Sequence, residues 1–149
     1  MLTKQYMRTV LERIVDFTDI DHQLFCANGY DGVIAILGAL RGVEFPCVVI
    51  EERDSGYFQV VEGALDRYSQ SVWIMGQVAR DEDQDARSEM NDSMYVLMKR
   101  IVSIIILDAT DGLLPGVDLS RVSYYSRMGG PKCVGYELNI SFNDNISLL

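Results

Sequence analysis

Between Arg121 and Phe142 apolar and polar side chains alternate twice, on either side of a turn built from Gly129, Gly130, Pro131 and Lys132. Val122, Tyr124, Ser126 and Met128 alternate with Arg121, Ser123, Tyr125 and Arg127. After the turn, Val134, Tyr136, Leu138, Ile140 and Phe142 alternate with Cys133, Gly135, Glu137, Asn139 and Ser141. Successive side chains of a strand point to opposite faces, so this period of two predicts an antiparallel hairpin with one apolar and one polar face. Such a hairpin needs a second layer against its apolar side, and the rest of the chain has to supply it.

The pattern that follows Asp81-Glu82-Asp83-Gln84-Asp85 predicts that layer. Ala86, Met90, Met94, Leu97, Ile101 and Ile104 recur at helical spacing, Met98, Ile105 and Asp108 continue it, and Gly112 and Pro115 stop it. Acidic residues at its start and Lys99-Arg100 toward its end complement a helix dipole. Residues 2–17 predict a second amphipathic helix. Leu2, Tyr6, Met7, Val10, Leu11, Ile14 and Phe17 lie on one side of it, and Lys4, Arg8, Glu12 and Asp16 on the other. Pro46 opens a strand over Cys47–Glu52, Asp54-Ser55-Gly56 reads as a turn, and Tyr57–Val61 is rich in strand formers. Residues 62–70 are polar and read as a loop. From Ser71 to Ala79, Val72, Ile74 and Val78 share one strand face while Trp73 and Met75 share the other. Both faces are apolar, so this strand is covered on both sides, within the fold or by another subunit. The apolar run 33–40, between glycines at 29, 32 and 42, suits a buried helix or a strand; we carry the helix forward.

Strands are grouped rather than alternating with helices. That predicts an α+β fold: an antiparallel or mixed β-sheet of about four to five strands, a long helix packed across it and an N-terminal helix. At 149 residues the chain reads as one domain, 1–149, with an N-terminal helix over 1–17, a sheet-and-helix core over 46–142 and a loose tail over 143–149. The formal net charge of −9 disfavours nucleic acid and anionic membranes as partners, because both demand a positive surface. The most apolar stretch, Ile101–Leu107, is far shorter than the ~20 residues that span a bilayer. The first residues carry no secretion signal, and three scattered cysteines, Cys26, Cys47 and Cys133, form no CxxC pair. The expectation is a cytoplasmic protein.

Motifs that carry chemistry are incomplete. Asp81, Asp83 and Asp85 occupy positions 1, 3 and 5 of a calcium loop, but Ala86 and Asp92 stand where it needs glycine and glutamate, so a helix N-terminus is the better reading. His22 and Cys26, four residues apart, could form a nucleophilic dyad only on a helix that the surrounding pattern does not favour. Glu51 and Glu52 are strand neighbours and point apart. The glycines fit neither GxGxxG nor a P-loop. Arg121, Arg127 and Lys132 beside Tyr124 and Tyr125 resemble a single-strand stacking surface, which the net charge opposes. No catalytic, cofactor or metal residue is therefore expected. Trp, Tyr, Met and Arg are enriched at protein interfaces, and Tyr57, Trp73, Met75, Tyr125 and Arg127 are the candidates for one.

Four stretches together carry a family resemblance. They are Phe45-Pro46-Cys47-Val48-Val49-Ile50, the passage Ser71–Ala79, the acidic helix start Asp81–Asp85 and the closing strand Val134–Phe142. Over residues 46–142 the sequence resembles the tail-terminator and tail-completion (minor tail) proteins of long-tailed phages and prophages, in the order of its elements. The resemblance implies a structural protein, without catalytic residues or cofactor, whose copies form a ring, commonly a hexamer, that caps or joins the tail tube. Its partners would be itself and other tail proteins. A monomeric ligand-binding or regulatory domain, or an enzyme using Cys26 and His22, are the alternatives the residues leave open.

Overall fold

A computed structural model describes residues 1–52, 55–60, 63–78, 83–129 and 132–145, the side chain of Val43 excepted. Among these residues are three α-helices and six strands: α1 (Lys4–Leu11), β1 (Leu24–Ala27), α2 (Gly29–Ala39), β2 (Cys47–Glu51), β3 (Ser55–Gln59), β4 (Leu65–Gln77), α3 (Gln84–Thr110), β5 (Val117–Met128) and β6 (Cys133–Asn145). The strands form one mixed sheet in the order β1-β2-β4-β6-β5. β1 and β2 run parallel, joined through α2, and every other pairing is antiparallel. β4 is long enough to serve two partners on one edge, β3 along Leu65–Ser69 and β2 along Val72–Met75. The fold is α+β, as the grouping of strands predicts.

The alternation within β4 sorts the core into two layers. Val72 and Ile74 face α1 and α3, in a cluster with Leu97, Ile101, Ile105, Leu138, Ile140 and Phe142. Trp73 and Met75 face the other way, in a cluster with Val33, Leu37, Cys47, Val49 and Cys133 under α2. Helix α3 buries the predicted stripe Met94, Leu97, Met98, Ile101, Ile105 and Asp108. Asp83 is its N-cap, with the carboxylate accepting the Ala86 N–H at 3.0 Å. The helix runs on to Thr110, so Lys99 and Arg100 stand at mid-length and its last turn holds no base. Dipole complementation applies to the acidic start only.

Several boundaries differ from the sequence reading, and one strand is new. α1 ends at Leu11, after which N–H groups bond three residues back (Arg13 to Val10, Ile14 to Leu11). The tighter turn keeps Ile14 and Phe17 buried. β1 is an additional strand, four residues long and held by its ladder to β2. β4 starts at Leu65, inside the stretch expected to be a loop; Ser55 and Gly56 belong to β3 rather than a turn, and Asp54 lies outside the described residues. Asn143–Asn145, expected to be loose, pair with Leu65–Arg67, while 146–149 lie outside the described residues.

Asp108 ties α1 to α3 from a buried position. Arg13 donates to both of its oxygens (2.9 and 3.1 Å) and the Tyr6 hydroxyl donates at 2.7 Å. The Arg13 hydrogen bonds lead in holding the Asp108 carboxyl below its usual range, against the opposing effect of burial. A carboxyl with a depressed folded pKa stabilises above its unfolded pKa of about 3.9, and that stabilisation fades as pH falls through the folded value. Asp108→Asn is therefore expected to cost about 1.5–3 kcal/mol at pH 7, with the gap to wild type closing below about pH 4. Urea melts across that range check it; a gap independent of pH would refute the assignment.

Candidate interaction face

Strand register places all five candidate interface residues on one side of the sheet. Trp73 lies opposite Glu137, which lies opposite Tyr125, and Arg127 follows two residues on, opposite Gly135. Tyr57 lies opposite Arg67, six residues before Trp73 on β4, so its side chain has the same sense. Residues paired across a ladder share a face. Tyr57, Trp73, Met75, Tyr125 and Arg127 therefore all point to the side on which α2 lies.

Helix α2 divides this face in two. It covers Trp73 and Met75, which are fully buried. The Trp73 ring centroid is 5.7 Å from that of Tyr30, and its Nε1–H donates to Glu51 Oε1 at 2.9 Å. The expectation that these two side chains form an intersubunit surface is thus corrected. The apolar second face of the strand is satisfied inside the chain, because the segment 33–40 folds as a helix and lands on it. Tyr57, Tyr125 and Arg127 stay exposed beyond α2.

The uncovered part is polar and internally bonded. Arg127 Nε donates to Glu137 Oε1 at 2.9 Å, and its guanidinium lies 5.2 Å from the Tyr125 ring centroid. Ser71 Oγ donates to Glu137 Oε2 at 2.8 Å and accepts from Asn139 at 3.2 Å. At the β3 end, Ser55, Tyr57, Arg67, Ser69, Asp118, Ser141 and Asn143 line an open cleft of about 270 Å³. Arg67 and Asp118 escaped the sequence reading because both lie outside its expected strands. Their only signal was a lone arginine in a polar stretch.

Among the described residues three strands have a free edge: β1, at the far end of the sheet, and the two that matter on this side. β3 pairs with β4 alone, and β5 ends the sheet. Tyr57 is 62% and Phe58 70% exposed, on opposite faces of β3, and Val60 beyond it is exposed as well. Tyr125 and Met128 are exposed on β5. Tyr124 and Tyr125 point to opposite sides, which parts the basic–aromatic stripe: Tyr124 packs against Tyr95 and Tyr136 on the α3 side.

The other chemical candidates do not converge. His22 lies in a short 3-10 turn, Ile20–His22, and Cys26 in β1. The His22 Nδ1 is 2.8 Å from Asp19 Oδ2, and that hydrogen bond raises the imidazole pKa. Burial pushes the Cys26 thiol pKa up, opposite to what an activated thiolate needs. Asp81 lies outside the described residues, and Asp83 is committed as a cap. None of the described helices is long and apolar enough to cross a membrane. No protein-family model matches the chain, and no curated protein matches its sequence.

Proposed function

We propose that this chain is a structural assembly protein of the phage tail-terminator or tail-completion kind, building a ring from copies of itself in the host cytoplasm and joining other tail proteins. The observation that carries the reading is the free edge of β3. An unpaired edge strand offers its backbone groups to another chain, and proteins that work alone blunt such edges with charge, proline or a covering element. Ser55–Gln59 contains no charged residue and no proline, and it exposes Tyr57 and Phe58 on opposite faces. The element order further supports the reading: a mixed sheet, one long helix across it and two closing strands. The free edges of β3 and β5 differ in sequence, so joining one to the other on a neighbouring copy makes a head-to-tail contact. Repeated contacts of that type close into a ring when the rotation allows.

Solution mass across a concentration series, by size exclusion with light scattering, tests this. The wild type is expected as a concentration-dependent or ring-sized oligomer. Phe58→Lys puts a charge on the edge without touching the core, and is expected to weaken association by about tenfold or more. A wild type that stays monomeric throughout, or a Phe58→Lys variant of unchanged mass, would remove the support.

A further inference from the structure

The open sheet face holds an arginine with one donor that the described residues leave without a hydrogen-bonding partner. Arg67 Nε is buried and unpaired among the described residues. The Arg67 side chain lines the cleft of about 270 Å³ between β3, β4, β6 and the start of β5. Buried N–H groups in folded proteins are almost always paired, so an orphan donor in a cleft points to a ligand or bound water. Arginine presents Nε–H and an Nη–H along one edge of its plane, a spacing that matches the two oxygens of a carboxylate. The side chains of Ser69, Ser141 and Asn143 border the same cleft and carry further donors. The exposed Tyr57 ring forms one wall.

We propose that this cleft binds a carboxylate group, held in a fork by Arg67 and supported by the neighbouring hydroxyl and amide donors. Its charge balance favours a monoanion over a phosphate dianion. Among the described residues Arg67 is the only base lining the cleft, and Asp118 is the only acid. Asp118 accepts the backbone N–H of Ser120 at 3.0 Å and its hydroxyl at 2.6 Å, so it keeps its charge without closing on Arg67. One cation facing one resident anion can neutralise a single further negative charge only in part, and a second would stand uncompensated. The chain's net charge of −9 acts in the same direction. The inference does not depend on the assembly reading: the carboxylate can belong to a free acid or to the acidic side chain or terminus of a neighbouring polypeptide.

The test is a titration followed by nuclear magnetic resonance, observing the Arg67 Nε–H and the amides of Ser69 and Ser141. Acetate and N-acetylglycine are expected to move these signals saturably, while the neutral N-acetylglycinamide leaves them in place. Arg67→Gln is expected to weaken acetate binding at least about tenfold. Arg67→Lys, which keeps the charge but loses the fork, should weaken it several-fold, and Asp118→Asn, which removes a like charge, should tighten it a few-fold. Dilution of the wild type that moves the same signals, in the sense opposite to acetate addition, supports the site and assigns the carboxylate to a second copy. Equal shifts with chloride at matched ionic strength, tighter binding of inorganic phosphate, or no saturable shift would each overturn the proposal. If Arg67→Gln does not fold, the wild-type titration and Asp118→Asn still decide it.

Discussion

Trp73→Ala is expected to destabilise the chain by about 3–5 kcal/mol, and to do so at concentrations where no self-association occurs. The indole is fully buried within the layer formed by α2 and the central strands. Truncation leaves a cavity between α2 and the sheet and removes the donor that Trp73 Nε1 supplies to Glu51. Trp73→Phe keeps most of the volume and loses that hydrogen bond, so a smaller cost of about 1–2 kcal/mol is expected. Tyr57→Ala, on the exposed part of the same face, should stay within about 0.5 kcal/mol of wild type. Urea denaturation of the three variants gives the ranking directly. A Trp73→Ala variant as stable as Tyr57→Ala would mean that α2 does not cover this strand.

Gly135→Ala is expected to cost about 3 kcal/mol by overpacking. Gly135 pairs with Met75 in the ladder between β4 and β6, the longest in the sheet. A Cβ built there would overlap the carbonyl oxygen of Ile74 and lie 2.9 Å from Met75 Cα. Both are backbone atoms of the adjacent strand, so relief requires β4 and β6 to part. Gly76 provides the control. Its added Cβ would meet the Sδ and Cγ of Met90, the end of a flexible side chain, so Gly76→Ala is expected to cost less than about 1 kcal/mol. Thermal melts of the pair check the contrast, and equal losses at the two positions would refute the backbone explanation.

Which residues share a face was legible throughout the strands that alternate. Val72 and Ile74 lie opposite to Trp73 and Met75, as period two requires. Helix α3 was legible from its stripe of Met, Leu and Ile, since a long apolar stripe at helical spacing fits no other element. The first half of β4 was hidden because its α2-side residues, Arg67 and Ser69, meet no covering layer, while Gln70 is polar and buried. The Gln70 amide donates to the carbonyls of Leu2 and Glu51 (2.9 and 3.1 Å) and accepts the Leu2 N–H at 2.8 Å, which makes a polar side chain suit a core position. β1 was hidden for a different reason. Four residues carry too short a pattern to mark a strand, and Leu24–Ala27 is extended because β2 lies beside it.

The cleft shows the same division. Arg67 was visible as a residue and invisible as a site. Ser69, Asp118 and Ser141 come from three segments far apart in sequence, and only the ladders β4–β6 and β5–β6 bring them together. The sequence by itself determined the α+β class, the long helix, the closing hairpin and the face each residue takes in the strands that alternate, because backbone geometry converts local periodicity into side-chain direction. Tertiary structure alone decided that α2 covers Trp73 and Met75, that β3 keeps a free aromatic edge, and that Arg67 Nε finds no hydrogen-bonding partner among the described residues. Those outcomes depend on which distant segments pack together, and side-chain direction says nothing about what lies in its path.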